Sequence, residues 1–263
     1  MIKPKKSLGQ NFLIDNNIIN KMLKHVDIRN NNIVEIGPGT GNLTTQIIQQ
    51  DPKSLILIEK DRSLSDSLKK KFKDNKKIYI FNNDIMQFDL ENELKKDTIV
   101  IGNLPYNISS QILAKLIKFK KWLPKYKKLI LMFQKEVADK ILSKYSSPSF
   151  GRLSVLTSAR LNITDHFDVS PNSFYPVPKV MSTVLIFKPI INKDFKVKDI
   201  SNLEKVTHVF FSKKRKMINK AFKTLFDKPA LIAEKININL NLRPNKVSEK
   251  EYYKITEYFE KEI

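Results

Sequence analysis

What most constrains this chain is the stretch Glu35-Ile36-Gly37-Pro38-Gly39-Thr40-Gly41-Asn42, which places three of the six glycines in one short loop. An apolar run, Ile33–Ile36, precedes the loop and reads as a strand. Leu43, Ile47 and Ile48 follow it at helical spacing. In an open α/β sheet a ligand sits beyond the carboxyl ends of the strands. Glycine lets backbone approach such a ligand closely and take positive φ. The unit therefore predicts a nucleotide-like ligand at this turn. It departs from the dinucleotide fingerprint G-x-G-x-x-G, because Asn42 stands where the third glycine belongs. Pro38 also removes an amide donor that a pyrophosphate would use. Both departures point away from a pyrophosphate and disfavour a nicotinamide oxidoreductase.

The first two-thirds of the chain repeat this alternation. Leu55–Ile58, Ile78–Phe81, Thr98–Ile101, Leu129–Phe133 and Thr183–Phe187 read as further strands. Between them Ile18, Ile19, Met22, Leu23 and Val26 fall on one helix face, and Leu64, Leu68 and Phe72 on another. Ser109 reads as the cap of a helix carrying Ile112, Leu113, Leu116 and Ile117. The pattern predicts an α/β domain whose mostly parallel sheet is covered on both faces. After Lys188-Pro189 only helical patterns remain, through Leu203, Val206 and Phe210 and again through Ile218, Phe222 and Phe226. The predicted division is 1–189 for the α/β domain and 190–263 for a small all-α domain.

The strand ends carry the chemistry. Gly37 follows the first strand, and Glu59 ends the next, 22 residues on, about where an acid grips a ribose diol. Asp84 follows the third and can accept a hydrogen bond from an adenine amino group, with Ile85 beside the ring. Each acid alone reads equally well as a solvated loop residue, but with Asn103 they line one rim. Asn103-Leu104-Pro105-Tyr106 suits transfer of a methyl group from a sulfonium to an exocyclic amine. The lone pair of that amine is delocalised into its base. An Asn side-chain oxygen and a backbone carbonyl can accept its two N–H groups and turn the lone pair toward the methyl. Pro105 stiffens the turn, and Tyr106 offers a face for a base to stack on. Positioning carries most of the rate of such an in-line displacement. The chain has no cysteine, which excludes disulfides, thiolate metal sites and the cysteine adduct used to methylate carbon 5 of a pyrimidine. Three scattered histidines predict no metal cluster.

Charge points to a polyanion. Lys plus Arg number 48 and Asp plus Glu 27, a net charge of +21. Only six of the 48 are arginine, so a genome-wide bias toward lysine codons is the bland alternative. Lys213, Lys214, Arg215, Lys216, Lys220 and Lys223 load one predicted helix and are the RNA-facing candidates. Lys69, Lys70, Lys71 and Lys73 read as a solvated helix face, and Phe210 and Phe211 as core. Lys3, Lys5 and Lys6 suggest an arm that orders on binding. No apolar run approaches the ~18 residues of a membrane span, and the start does not read as a signal peptide. A cytoplasmic protein without a membrane partner is expected.

Seven blocks, in order, now carry a resemblance: Ser7–Leu13, Val34–Gly41, Asn103–Tyr106, Gln134–Val137, Gly151–Ser154, Phe174–Val180 and Phe211–Lys216. The chain resembles the ribosomal RNA adenine dimethyltransferases, and among them the bacterial small-subunit enzymes. The resemblance implies a Rossmann-like class I methyltransferase domain with S-adenosylmethionine as cofactor. It implies a cofactor pocket including Asn11, Leu13, Gly37, Glu59, Asp84 and Asn103. It implies N6,N6-dimethylation of two adjacent adenosines near the 3′ end of 16S ribosomal RNA, in the pre-30S subunit, by a monomer. The target base, flipped from its stack, would lie between Tyr106 and Phe174, with Asn103, Leu104 and Pro105 completing the catalytic set. The C-terminal domain would dock on RNA. Arg243-Pro244-Asn245 departs from the family pattern, which has an acid after the arginine, so the docking details there stay open. The rivals are a large-subunit adenine methylase, a group that tends to carry Ile where this chain has Leu104, and a non-catalytic assembly factor.

Overall fold

The computed structural model describes residues 4–5, 8–191 and 195–262. Lys3, Lys6 and Ser7 of the N-terminal reading lie outside the described residues. The chain forms two compact units, one of residues up to Ala138 plus Ile163–Pro189, the other of Asp139–Asn162 plus Ile190 onward.

The first unit is built on a seven-stranded sheet of order β4-β3-β2-β5-β6-β9-β7. Its strands are β2 (Asn32–Ile36), β3 (Ser54–Glu59), β4 (Ile78–Asn82), β5 (Thr98–Asn103), β6 (Tyr126–Gln134), β7 (Leu161–Val169) and β9 (Ser182–Pro189). From β4 to β6 every pairing is parallel, and β6 pairs antiparallel with β9. The registers Ile36↔Ile58 and Glu59↔Asn82 bring the carboxyl ends of β2, β3 and β4 to one edge. The chain leaves β2 toward β3 on one side, while β5 pairs on the other. This reversal of direction opens a crevice at the ends of β2 and β5, the place where open sheets bind ligands. Ile33, Leu55, Leu57, Ile99, Ile101 and Ile130 are buried in the core under it. Burial of such side chains supplies roughly 1.5–3 kcal/mol each.

Helices α1 (Asn16–Leu23), α2 (Asn42–Gln49), α3 (Arg62–Lys71), the short α4 (Leu90–Glu93) and α5 (Ser109–Ile117) connect these strands. Ile19, Met22 and Leu23 form the buried face of α1, and Leu64 and Leu68 that of α3, as the spacing predicts. Asp15 and Asp61 cap the two helices by accepting from first-turn amides. Ser109 proves to be the first residue of α5 rather than its cap, and its hydroxyl donates to the Tyr106 carbonyl instead.

Two elements escape the sequence pattern. A two-residue strand, β1 (Phe12–Leu13), pairs antiparallel with another, β8 (Phe174–Tyr175). Strand β7 at the sheet edge buries Leu161, Phe167 and Val169, while Asn162, Thr164, His166 and Asp168 face outward. Asp165 interrupts its inner row and hides the period of two.

The second unit contains α7 (Arg152–Arg160), α8 (Ile200–Phe211), α9 (Asn219–Leu225), α10 (Pro229–Ile236) and α11 (Glu249–Glu262), and takes the end of α6 (Lys135–Leu142). Phe210 stands at its centre, with the rings of Phe222 and Tyr252 at 5.7 and 5.3 Å. Phe210 is core, and Phe211 is half-buried, packing on Phe150 and Tyr252. The second unit takes Ile190 onward and also 139–162, which the sequence reading gives to the α/β domain. These residues carry a helix like those of the α/β unit, and only their packing, α7 against α8 and α11, assigns them elsewhere. No helix among the described residues is long and apolar enough to cross a membrane.

Candidate active site

One cavity opens at the crevice, and all six predicted cofactor residues (Asn11, Leu13, Gly37, Glu59, Asp84 and Asn103) line it. The glycine loop forms its floor. Gly37, Gly39 and Gly41 have φ of 69, 57 and 79°, in the left-handed region that side chains disfavour. At Gly39 space is also exhausted, since a Cβ there would stand 2.9 Å from the Phe12 ring. Gly41 then caps α2.

Glu59 is 6% exposed. Its two carboxylate oxygens accept from the Gly39 amide at 3.1 Å and the Asp61 amide at 2.8 Å. Burial pushes its pKa up, and these amide bonds pull against the shift. The arrangement fixes an acid on the cavity wall where a diol can reach its remaining lone pairs. Beneath it Glu35 is buried and accepts from Thr44 Oγ1 at 2.7 Å. Asp84 also lines the cavity, just beyond the end of the neighbouring β4. One of its oxygens accepts from the Met86 amide at 2.9 Å, and the other lies 2.8 Å from Lys60 Nζ. The Lys60 bond, then the Met86 amide, hold its carboxyl below the usual range. Lys60 was not foreseen as its partner.

Asn103 ends β5 at the centre of the rim. Its Nδ2 donates to the Asn11 carbonyl at 2.8 Å, which leaves Oδ1 as a free-standing acceptor. Asn11 thus contributes its backbone, and Leu13 likewise accepts from Asn42 Nδ2 at 2.9 Å. A Cβ on Gly37 would lie 3.7 Å from the Asn103 carbonyl and 3.9 Å from Pro105 Cδ, so the glycine loop and the Asn103 turn nearly touch. Leu104 lines the cavity and is buried. Tyr106 is half-buried on the cavity wall, its hydroxyl 2.5 Å from Ser182 Oγ on β9. Burial raises the Tyr106 pKa, which keeps the phenol neutral.

Phe174 is not brought to this site. It is 1% exposed, packs in the core with Leu13, Ile19 and Val169, and does not line the cavity. The predicted sandwich with Tyr106 is therefore absent from this conformation. Pairing Phe174 with Leu13 turns both side chains inward, and alternation turns the next residue, Tyr175, outward at 55% exposure.

The N-terminal wall is latched. Lys5 Nζ lies 2.9 Å from an Asp61 oxygen, and Gln10 Nε2 donates to Asp61 at 3.1 Å. Burial pushes the Asp61 carboxyl up, but bonds from Lys5, Gln10 and Ser63 outweigh it and bring the pKa down to about 2. Lys5 is thus held by an ion pair rather than lying on a free arm. In the other unit, Lys213–Lys216 prove to lie on the exposed turn between α8 and α9, not on a helix. Lys220 and Lys223 are exposed on α9 itself, and Lys214 Nζ donates to the Pro148 carbonyl at 2.7 Å. Among the described residues no cluster of His, Cys, Asp or Glu could hold a metal ion.

Comparison with known proteins matches this geometry to a family. A solved dimethyladenosine transferase from Plasmodium falciparum superposes with a TM-score of 0.78 at 24% identity, covering 95% of this chain and 98% of that one. The 23S rRNA methyltransferase ErmE superposes at 0.68 and 19% identity, over 95% of this chain and all of that one. At these identities the two establish the fold. Among curated relatives, a ribosomal RNA small subunit methyltransferase A of Pelagibacter ubique (strain HTCC1062) is 46% identical over 264 aligned residues, 98% of each chain. One of the same name from Prochlorococcus marinus (strain MIT 9301) is 36% identical over 96% of this chain and 94% of its own length. The family profile described as "Ribosomal RNA adenine dimethylase" matches residues 1–261. With the glycine loop, the two acids and the Asn103 turn converging on one cavity, the chain belongs to the ribosomal RNA adenine dimethylase family.

Proposed function

We propose that this protein transfers methyl groups from S-adenosylmethionine to N6 of two adjacent adenosines near the 3′ end of 16S ribosomal RNA, as a monomer acting on the pre-30S subunit in the cytoplasm. The relatives' names support the small subunit as the target, whereas the large-subunit enzyme ErmE shares the fold alone. The observation that carries the chemistry is the Asn103 amide. One N–H of its nitrogen is held by the Asn11 carbonyl, which orients the amide and leaves its oxygen as the acceptor for a target amine.

The cavity fits the cofactor. Positive-φ glycines leave room for backbone to meet the ligand, and a buried carboxylate stands where a ribose would lie. Glu59 would hold the ribose hydroxyls, and Asp84 the adenine amino group beside Ile85. The cofactor supplies an electrophilic methyl on a sulfonium. Asn103 Oδ1 and the Leu104 carbonyl accept the N–H groups of the target amine, localise its lone pair and aim it at that methyl. Pro105 holds the turn, and Tyr106, steadied by Ser182, offers its ring to the base. No group of the protein needs to act as a strong base, since the product ammonium sheds its proton readily. The exposed lysines of the α8–α9 turn and of α9 supply phosphate contacts, whose counterion release makes binding salt dependent.

The test is transfer of labelled methyl from S-adenosylmethionine to small subunits purified from cells lacking the modification, with the digested RNA read by mass spectrometry. Dimethyladenosine at two adjacent positions is expected. Cofactor binding without transfer would move the target to another RNA, and subunit binding without cofactor binding would leave only an assembly factor.

A further inference from the structure

Lys115 makes contacts that the reaction does not account for. It projects from α5, the helix that follows the Asn103–Tyr106 turn, and is largely withdrawn from solvent. Its Nζ donates to three backbone carbonyls at once: Ile85 at 2.8 Å, Met86 at 3.0 Å and Phe88 at 2.7 Å. An ammonium has three N–H donors, and here all three converge on one turn.

That turn carries Asp84 and Ile85, both on the cavity wall. Asp84 organises it from the other side. Its carboxylate accepts the Met86 amide, and its carbonyl accepts the Gln87 and Phe88 amides, each at 2.9 Å. The turn's amides thus point at Asp84 and its carbonyls at Lys115. Neither hydrogen-bond set alone fixes where the Asp84 carboxylate points, because a turn held only by its amides can still pivot about them. At its near end α5 is tied to the catalytic turn. Ile108 N donates to the Pro105 carbonyl at 3.1 Å, and Ser109 Oγ to the Tyr106 carbonyl at 3.3 Å.

We propose that Lys115 is a positioning residue for the cofactor: its three-carbonyl grip sets the Asp84–Ile85 turn against α5 and so sets affinity for the adenosyl group. The inference rests on the reading that Asp84 and Ile85 receive the cofactor's adenine. What matters is the tripod of donors on a single nitrogen, not the charge alone. Arginine, whose donors spread over a plane, does not replace it.

The experiment is calorimetric titration of the full-length protein with S-adenosylhomocysteine, alongside the KM for S-adenosylmethionine and kcat in the transfer assay. Lys115→Met should weaken binding by about tenfold or more, since it leaves three carbonyls without their charged donor. It should raise the cofactor KM similarly, with kcat at saturating cofactor within about threefold, because the tripod lies outside the reacting atoms. Lys115→Arg should bind nearly as weakly. The matched control is Lys128→Met, because Lys128 likewise donates a partly buried ammonium to a backbone carbonyl, that of His25, and does not line the cavity. It should leave cofactor affinity within about twofold, with a smaller loss of stability because one carbonyl rather than three loses its donor. Should Lys115→Met fail to fold, Lys115→Gln, which retains two donors, gives the same comparison. Wild-type affinity in Lys115→Met or Lys115→Arg overturns the inference, and so does equal weakening by Lys128→Met. A wild-type protein that binds no S-adenosylhomocysteine overturns the cofactor reading beneath it.

Discussion

Glu35→Gln tests the packing under the cavity. Glu35 is 1% exposed on β2, with Thr44 Oγ1 at 2.7 Å. Burial pushes its pKa from the ordinary 4.5 up to about 8, with the Thr44 bond opposing and Glu59 reinforcing the shift. Between those values the folded protein keeps a proton that the unfolded chain has released. Stability therefore falls as pH rises through this window and levels off above it. Each pH unit within the window is about 1.4 kcal/mol. From pH 5.5 to 7.5 this one carboxyl should cost the wild type roughly 2.7 kcal/mol. Glutamine keeps the size and an acceptor for Thr44 but has no proton to lose. Urea unfolding at the two pH values, with midpoints converted through a shared slope, should show the wild type losing about 2–3 kcal/mol more than the variant. Groups that do not interact with Glu35 contribute equally to both proteins and drop out of the difference. Equal losses would mean that Glu35 is ionised in the folded protein, and the inference from burial to protonation would be wrong.

Other substitutions separate the parts of the site. Asn103→Ala should reduce methyl transfer by about 10²–10³ while cofactor affinity, measured by titration, falls much less; equal loss of both would make Asn103 a cofactor residue only. Gly39→Ala forces a Cβ to within 2.9 Å of the Phe12 ring at φ +57°. It should lower stability by about 1–2 kcal/mol and weaken S-adenosylhomocysteine binding in the same titration. Changing Lys213, Lys214 and Arg215 together to alanine should flatten the salt dependence of subunit binding by about 2 in log–log slope. An unchanged slope would place the phosphate contacts elsewhere.

Much of this was legible in the sequence, for identifiable reasons. Strands β2, β3, β5 and β6 are buried on both faces, and the half-exposed β4 is still largely apolar, so all five read as apolar runs and the residues just beyond each run fall at a strand end. That is why Gly37, Glu59, Asp84 and Asn103 were correctly placed on one cavity. Contacts between remote segments had no such signal. Nothing local marks Asp61 as the anchor for Lys5 and Gln10, Ser182 as the partner of Tyr106, or Lys115 as the clasp of the Asp84 turn. That Phe174 lies in the core was not legible, because a motif names residues but not the face they take, which here is set by pairing with Leu13. The basic run looked helical from its flanks, yet it joins two helices and carries no apolar stripe of its own.

The pairing of β1 with β8 bears on when the protein becomes competent. Chains emerge from the ribosome amino end first, at roughly 5–20 residues per second. The cavity floor, from the glycine loop to the Asn103 turn, is therefore synthesised well before Phe174 and Tyr175 appear. Until then β1 has no ladder partner, and Phe12, which covers the glycine loop, is held in place by side-chain contacts and by the Asn103–Asn11 and Asn42–Leu13 bonds. The long connection must be ordered before that pairing can form, a closure cost that grows only slowly with its length. The backing of the β1 wall is thus finished late in translation, and a truncated chain that already holds every residue from the glycine loop to Tyr106 still lacks the strand that pairs with β1.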